Sequence, residues 1–132
     1  MVLVDTNVLV DVLQNDPQWA DWSIAQMRTQ AKLHALAINP VIYAEMSLSF
    51  SILEALDDVV LTMALELREI LRPALFLAAK AFAQYRRRGG SKAQLLPDFF
   101  IGAHAAVEGW PLLTRDASRF RTYFPTLEVL AP

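Results

Sequence analysis

Asp5, Glu45, Asp98 and Asp116 are carboxylates set where a carboxylate should be costly. Asp5 separates Val2-Leu3-Val4 from Val8-Leu9-Val10, and Glu45 lies within Val41-Ile42-Tyr43-Ala44-Glu45-Met46. Asp98 opens Asp98-Phe99-Phe100-Ile101-Gly102-Ala103, and Asp116 follows Pro111-Leu112-Leu113-Thr114-Arg115. An isolated buried carboxylate costs several kcal/mol or takes up a proton. Two of them ~4 Å apart repel by about 4 kcal/mol at an effective dielectric of about 20, so four together require cations. No lysine is placed to match them, and the chain has no cysteine. An all-oxygen donor set suits a hard ion, Mg2+ or Mn2+, rather than structural zinc. The chemistry open to such a site is metal-assisted attack on a phosphodiester by activated water.

Each acid also has an ordinary reading. Asp5, Asp98 and Asp116 all sit where an aspartate caps a helix. On a helix, Glu45 has Val41, Ile42, Leu48 and Ser49 at neighbouring turns, a mostly apolar stripe that turns it inward or towards a cleft. Its ordinary reading is a core-edge glutamate paired with an arginine. No basic residue lies between Lys32 and Arg68, so that partner must come from distant chain. Four unrelated explanations are less economical than one shared ion. Asn7, Thr6 and Thr114 stand close enough in sequence to orient the acids or a bound water. His34 reads as a surface or turn residue, and His104, in Gly102-Ala103-His104-Ala105-Ala106, as a packed histidine rather than a ligand. Trp19, Trp22 and Trp110 read as core or interface aromatics.

The elements that must position these residues alternate in type. Val2–Val4 reads as a buried β-branched strand, with Thr6 or Asn7 capping a helix through Leu13. An amphipathic helix is expected between Pro17 and Leu33, and a second strand over Ala35–Ile38. Asn39-Pro40 is a cap-and-start signal for the helix carrying Glu45. One helix is expected near Ser51–Leu56, then a mixed region around Leu61–Glu69. Pro73 opens a long helix to Tyr85–Arg88, ended by Gly89-Gly90, and Leu96-Pro97-Asp98 opens another, ended by Gly109. Leu112–Thr114 is a third strand, Ala117–Tyr123 a short helix and Leu127–Leu130 a last strand. Strands alternating with helices imply an α/β fold with a parallel sheet covered on both faces. Ligands of such sheets bind outside the carboxyl ends of the strands, where Asp5 and Asp116 fall.

At 132 residues the chain is long enough for one domain with a real core. The absence of cysteine fits a reducing cytoplasm, and no secretory signal or membrane-length apolar run is read. The hydrophobic fraction of 55% is high for this size, which points to apolar surface covered by another chain. The net charge of −2 conceals an asymmetry, −7 over residues 1–70 and +5 over residues 71–132. The second half holds Arg86, Arg87, Arg88, Lys92 and Arg115, candidate contacts for a polyanion. The alternative for Arg86–Arg88 is a solvated helix end favoured by the helix dipole.

The set Asp5-Thr6-Asn7, Glu45, Leu96-Pro97-Asp98 and Leu113-Thr114-Arg115-Asp116 resembles the PIN-domain nucleases, and more closely the VapC toxins of toxin–antitoxin pairs. The resemblance spans nearly the whole chain. It is most specific over Tyr85–Gly90 with Pro97–Ala105; Ser51–Leu71 fits only by its helical character. It implies a three-layer α/β/α fold with a central, mostly parallel sheet of four to five short strands. It also implies a Mg2+- or Mn2+-dependent endoribonuclease with Asp5, Glu45, Asp98 and Asp116 as its acidic cluster, supported by Asn7 and Thr114. The implied partners are RNA, a cognate antitoxin and a second copy of the chain. Two other classes compete. A PIN-like module that binds RNA or protein without cutting would use its acids as caps and ignore chelators. A receiver-type phosphotransfer domain would need a lysine near the last strand, and none follows Lys92.

Overall fold

The order of elements follows from where apolar runs and helix punctuation fall. The computed structural model describes residues Met1–Pro132. Strand β1 (Val2–Val4) leads into α1 (Thr6–Leu13) and α2 (Ala20–Ala31), then β2 (Leu36–Ile38), α3 (Pro40–Met46), α4 (Leu53–Thr62) and β3 (Leu65–Leu67). The second half runs α5 (Arg72–Arg87), α6 (Leu96–Glu108), β4 (Leu112–Leu113), α7 (Ser118–Tyr123) and β5 (Val129–Leu130).

The five strands form one parallel sheet in the order β3-β2-β1-β4-β5. Successive side chains of a strand point to opposite faces, yet all of Val2–Val4 and Leu36–Ile38 are buried. Both faces are therefore covered, which is why these strands are unbroken apolar runs. The chain moves outward from β1 to β3, then crosses back to place β4 on the other side of β1. That reversal is the topological switch point, where the loops leaving adjacent strands diverge and open a crevice.

Several boundaries differ from the sequence expectation. Asp5, not Thr6 or Asn7, caps α1, accepting the Thr6 N–H at 2.7 Å. Asp16 accepts the N–H groups of Gln18 and Trp19, so the chain turns there and α2 starts only at Ala20. The helix expected near Ser51–Leu56 runs over Leu53–Thr62, and the mixed region contains the edge strand β3. Strands β4 and β5 are two residues each, shorter than Leu112–Thr114 and Leu127–Leu130. Helix α7 starts at Ser118. Helix α3 ends at Met46 and a 3-10 turn follows, so Leu48 lies off the supposed stripe and is 90% exposed. Asn39 caps α3 through the Ile42 N–H, and Gly109, at φ 70°, closes α6 in the left-handed region that favours glycine.

Two packing features hold the site's helices. Phe99, fully buried, lies 5.3 Å from the rings of Phe82 and Tyr123 and 5.5 Å from Tyr85. It anchors the first turn of α6 and hence its neighbour Asp98. Gly102, one turn on, lets the rings of Phe120 and Phe124 close against α6, drawing α7 to the same side.

Candidate active site

The crevice at the switch point is a cavity of about 320 Å³ lined by Asp5, Glu45, Asp98 and Asp116, with Thr6, Asn7 and Arg115 among its other walls. The four acids arrive from four places: the end of β1, the last turn of α3, the first turn of α6 and the loop after β4. Two of the capping alternatives fail. Helix α6 has no side-chain cap, and neither does α7, so Asp98 and Asp116 are not holding backbone there. Asp5 does cap α1 through one oxygen while its other oxygen takes part in the site. Glu45 has no arginine; its carboxylate accepts the Thr6 hydroxyl at 2.7 Å.

Register explains the closest contact. Strands β1 and β4 pair Val4 with Leu113, so the next residue of each, Asp5 and Thr114, emerge side by side. The fully buried Thr114 donates its hydroxyl to Asp5 at 2.8 Å and accepts the Asp116 N–H at 3.1 Å. Thr114 thus holds the Asp5 carboxylate, and only the backbone of Asp116, whose carboxylate is left for the cavity. Asn7 braces the same junction. Its amide donates to Thr114 at 3.3 Å, and its carbonyl accepts the Arg115 N–H at 3.2 Å.

The electrostatics record a surplus of negative charge. Burial pushes the Asp5 carboxyl up to about 7, aided by Asp98 and Glu45 and opposed by the hydrogen bond from Thr114. Burial also raises Asp98 to about 6, with Glu45 and Asp116 adding to it and Arg119 opposing it. Arg119, from α7, forms an ion pair with Asp98. Arg115 pairs with the buried Asp11, its Nε 2.6 Å from Asp11 Oδ2.

As they stand, no three acidic or histidine side chains are drawn close enough to hold an ion among them. The donor set nonetheless fits a hard divalent cation. It is all oxygen, it is converged on one cavity, and burial together with the neighbouring acids raises the pKa of Asp5 and Asp98, an effect a cation would relieve. The carboxylates of Asp98 and Glu45 are occupied by Arg119 and Thr6, groups that a cation could displace.

The basic candidates divide. Arg115 lines the cavity, whereas Arg86, Arg87, Arg88 and Lys92 do not. Arg86 lies over the ring of Phe82 and Arg88 over that of Tyr123, at the C-terminal end of α5. His104 is fully buried, 3.1 Å from the Asn39 amide and against Trp110, with its pKa lowered mainly by burial. It is a packed residue, as expected, and His34 is exposed. Sequence reasoning did not place Arg119 or Asp11 at the site. The available signal for Arg119 was its place one turn beyond Asp116; Asp11 had none, being one more acid in a helix.

The family model of the PIN domain matches residues 2–124. Solved structures of similar fold include VapBC2 from Rickettsia felis bound to a DNA fragment from its promoter. The two are 22% identical with a TM-score of 0.76, covering 100% of this chain and 99% of the other. VapBC-1 from nontypeable Haemophilus influenzae is similar at 16% identity and a TM-score of 0.74, over 99% and 98% of the chains. DNA-bound VapBC from Salmonella typhimurium reaches 20% and 0.71, over 98% and 96%. At such identities the likeness is one of fold. No protein of curated function matches the chain in sequence. A parallel sheet with acids gathered at its switch point, and a family match over all but the first residue and the last eight, lead to one assignment: this chain belongs to the PIN-domain family.

Proposed function

We propose that the protein is the toxin of a toxin–antitoxin pair and acts as a Mg2+- or Mn2+-dependent endoribonuclease. The observation that carries this is the convergence of four carboxylates from distant chain on one cavity, two of them with raised pKa values. The similar folds seen in VapBC complexes support the toxin assignment.

In this reading Asp5, Glu45, Asp98 and Asp116 hold the cation. A bound divalent ion supplies positive charge for the scissile phosphate and acidifies a water. Thr114 fixes the Asp5 carboxylate and so preorganises that donor, while Thr6 holds Glu45 until a cation takes its place. Asn7 ties the two strand ends together. Arg115, which lines the cavity, and Arg119, which pairs with the cavity's Asp98, are the cations proposed to meet a phosphate chain. A cognate antitoxin and a second copy of the chain are the partners we propose for the exposed apolar side chains, which include Leu48, Ile52, Leu53, Leu61 and Phe76. No helix is long and apolar enough to cross a membrane.

The test is to incubate purified protein with total RNA, with and without EDTA, and to map fragment ends. The expected products carry a 5′-phosphate and a 3′-hydroxyl, and EDTA abolishes them. Ends bearing a 2′,3′-cyclic phosphate would show attack by the ribose itself and contradict the role given to water. Chelator-insensitive RNA binding without cleavage would favour a non-catalytic binding module.

A further inference from the structure

Asp11 is the one buried acid outside the cavity's own set, 2% exposed on α1. Its Oδ2 accepts the hydroxyl of the fully buried Ser23 from α2 at 3.0 Å and lies 2.6 Å from Arg115 Nε. The Arg115 N–H is not aligned as a hydrogen bond, so this contact is an ion pair held by charge. The guanidinium carbon also sits 5.4 Å over the ring of Trp19, which is edge-on to Trp22 at 6.0 Å. The Arg115 backbone is pinned separately by Asn7. One side chain is thus pinned at its backbone, drawn by charge at its Nε and backed by an aromatic ring.

A buried carboxylate paired with a cavity-lining arginine is a costly arrangement for stability alone, since well-packed apolar groups serve as well. It makes sense if the orientation of the guanidinium matters. The terminal nitrogens of Arg115 have no protein hydrogen-bond partner, and the residue borders the cavity that holds the four acids. Guanidinium recognises phosphate through two N–H groups in a fixed fork, so its plane must be set in advance. We propose that Asp11 is a positioning residue: with Ser23 and Trp19 it orients Arg115 to hold the phosphodiester next to the one that is cut. The proposal rests on the nuclease reading of the cavity.

Charge and positioning predict opposite signs, which makes the idea testable. If Asp11 merely adds negative charge, Asp11→Asn should tighten RNA binding by removing an anion near a polyanion. If it positions Arg115, Asp11→Asn weakens binding although the protein has become more positive. The experiment measures kcat and KM on a single-stranded RNA oligonucleotide, with KM repeated across a salt series. We expect Arg115→Gln to raise KM about tenfold, to change kcat less than about twofold, and to reduce the salt slope by about 0.7, one single-strand phosphate contact. Asp11→Asn should raise KM by a smaller factor in the same direction. Because Asp11 is buried, Trp19→Leu serves as a second variant: it removes the guanidinium's backing without changing any charge and should also raise KM. Thermal melts establish that each variant is folded. Unchanged or lowered KM in folded Asp11→Asn and Trp19→Leu would overturn the proposal and leave the nuclease reading intact. A wild-type protein that cuts no RNA would overturn both.

Discussion

Thr114 donates its hydroxyl to Asp5 across 2.8 Å, joining residues 109 positions apart in the chain. This bond locks the ends of β1 and β4 together at the switch point and determines how Asp5 faces the cavity. It also lowers the Asp5 pKa against the larger upward effect of burial. Thr114→Val, nearly the same shape without the hydroxyl, should raise that pKa further and weaken divalent-cation affinity. The acid-side loss of Mn2+ binding should then set in at higher pH. Calorimetric titration across pH 6–9 checks this, and an unmoved profile would contradict it.

The Asp5 carboxyl, at about 7 in the folded protein against 3.8 ordinarily, binds its proton more tightly when folded. Between those values the native state holds more protons than the unfolded one, so cation-free stability falls as pH rises from about 4 to about 7. The full effect is on the order of 4 kcal/mol at 1.36 kcal/mol per pH unit. Asp5→Asn removes the ionisation, so cation-free Asp5→Asn should melt about 5 °C or more above wild type at pH 8. The gap should close towards pH 4. A variant less stable than wild type at pH 8 would show that its hydrogen bonds outweigh its charge.

Arg119 occupies the Asp98 carboxylate. A cation must displace it, so Arg119→Ala should bind Mn2+ several-fold more tightly. The same change removes a cation beside the site and should raise KM for RNA. Calorimetry and steady-state kinetics separate the two effects. Weaker Mn2+ binding in the variant would contradict the competition.

Much of this was legible in the chain, and the exceptions have physical causes. The buried runs Val2–Val4 and Leu36–Ile38 and the cap Asn39-Pro40 fell where local chemistry put them, because each is decided by its own residues. Asp5 and Asp116 could be placed at strand ends, and from there to a common crevice, by topology alone. Strand β3, Leu65–Leu67, was not clear because two of its three residues are exposed at a sheet edge, so no apolar run marks it. Glu45 was placed correctly in the cavity on a partly wrong argument, since α3 ends before Leu48. The ion pairs Arg119–Asp98 and Arg115–Asp11 depend on how α7 and α1 pack, which no local pattern records.

Gly102 is required by packing rather than by backbone conformation. A methyl group there would run into the ring of Phe124 and lie 3.0 Å from Phe120 Cδ1, and both rings are buried. Overpacking of this kind costs about 1–3 kcal/mol. The gain from replacing a helical glycine by alanine is about 1 kcal/mol, so the clash prevails. Gly102→Ala should therefore lower the melting temperature by several degrees and loosen the approach of α7 to Asp98. An unchanged melting temperature would contradict this.

The central claim is that the four carboxylates act together on a divalent cation, and the most direct measurement is Mn2+ titration calorimetry at pH 7.5 on wild type, Asp5→Asn, Asp98→Asn and Asp116→Asn. Wild type should bind saturably and each folded variant at least tenfold more weakly, since each loses a charged oxygen donor. Absence of binding by wild type, or variants that bind as well as it does, would rule out a shared cation site.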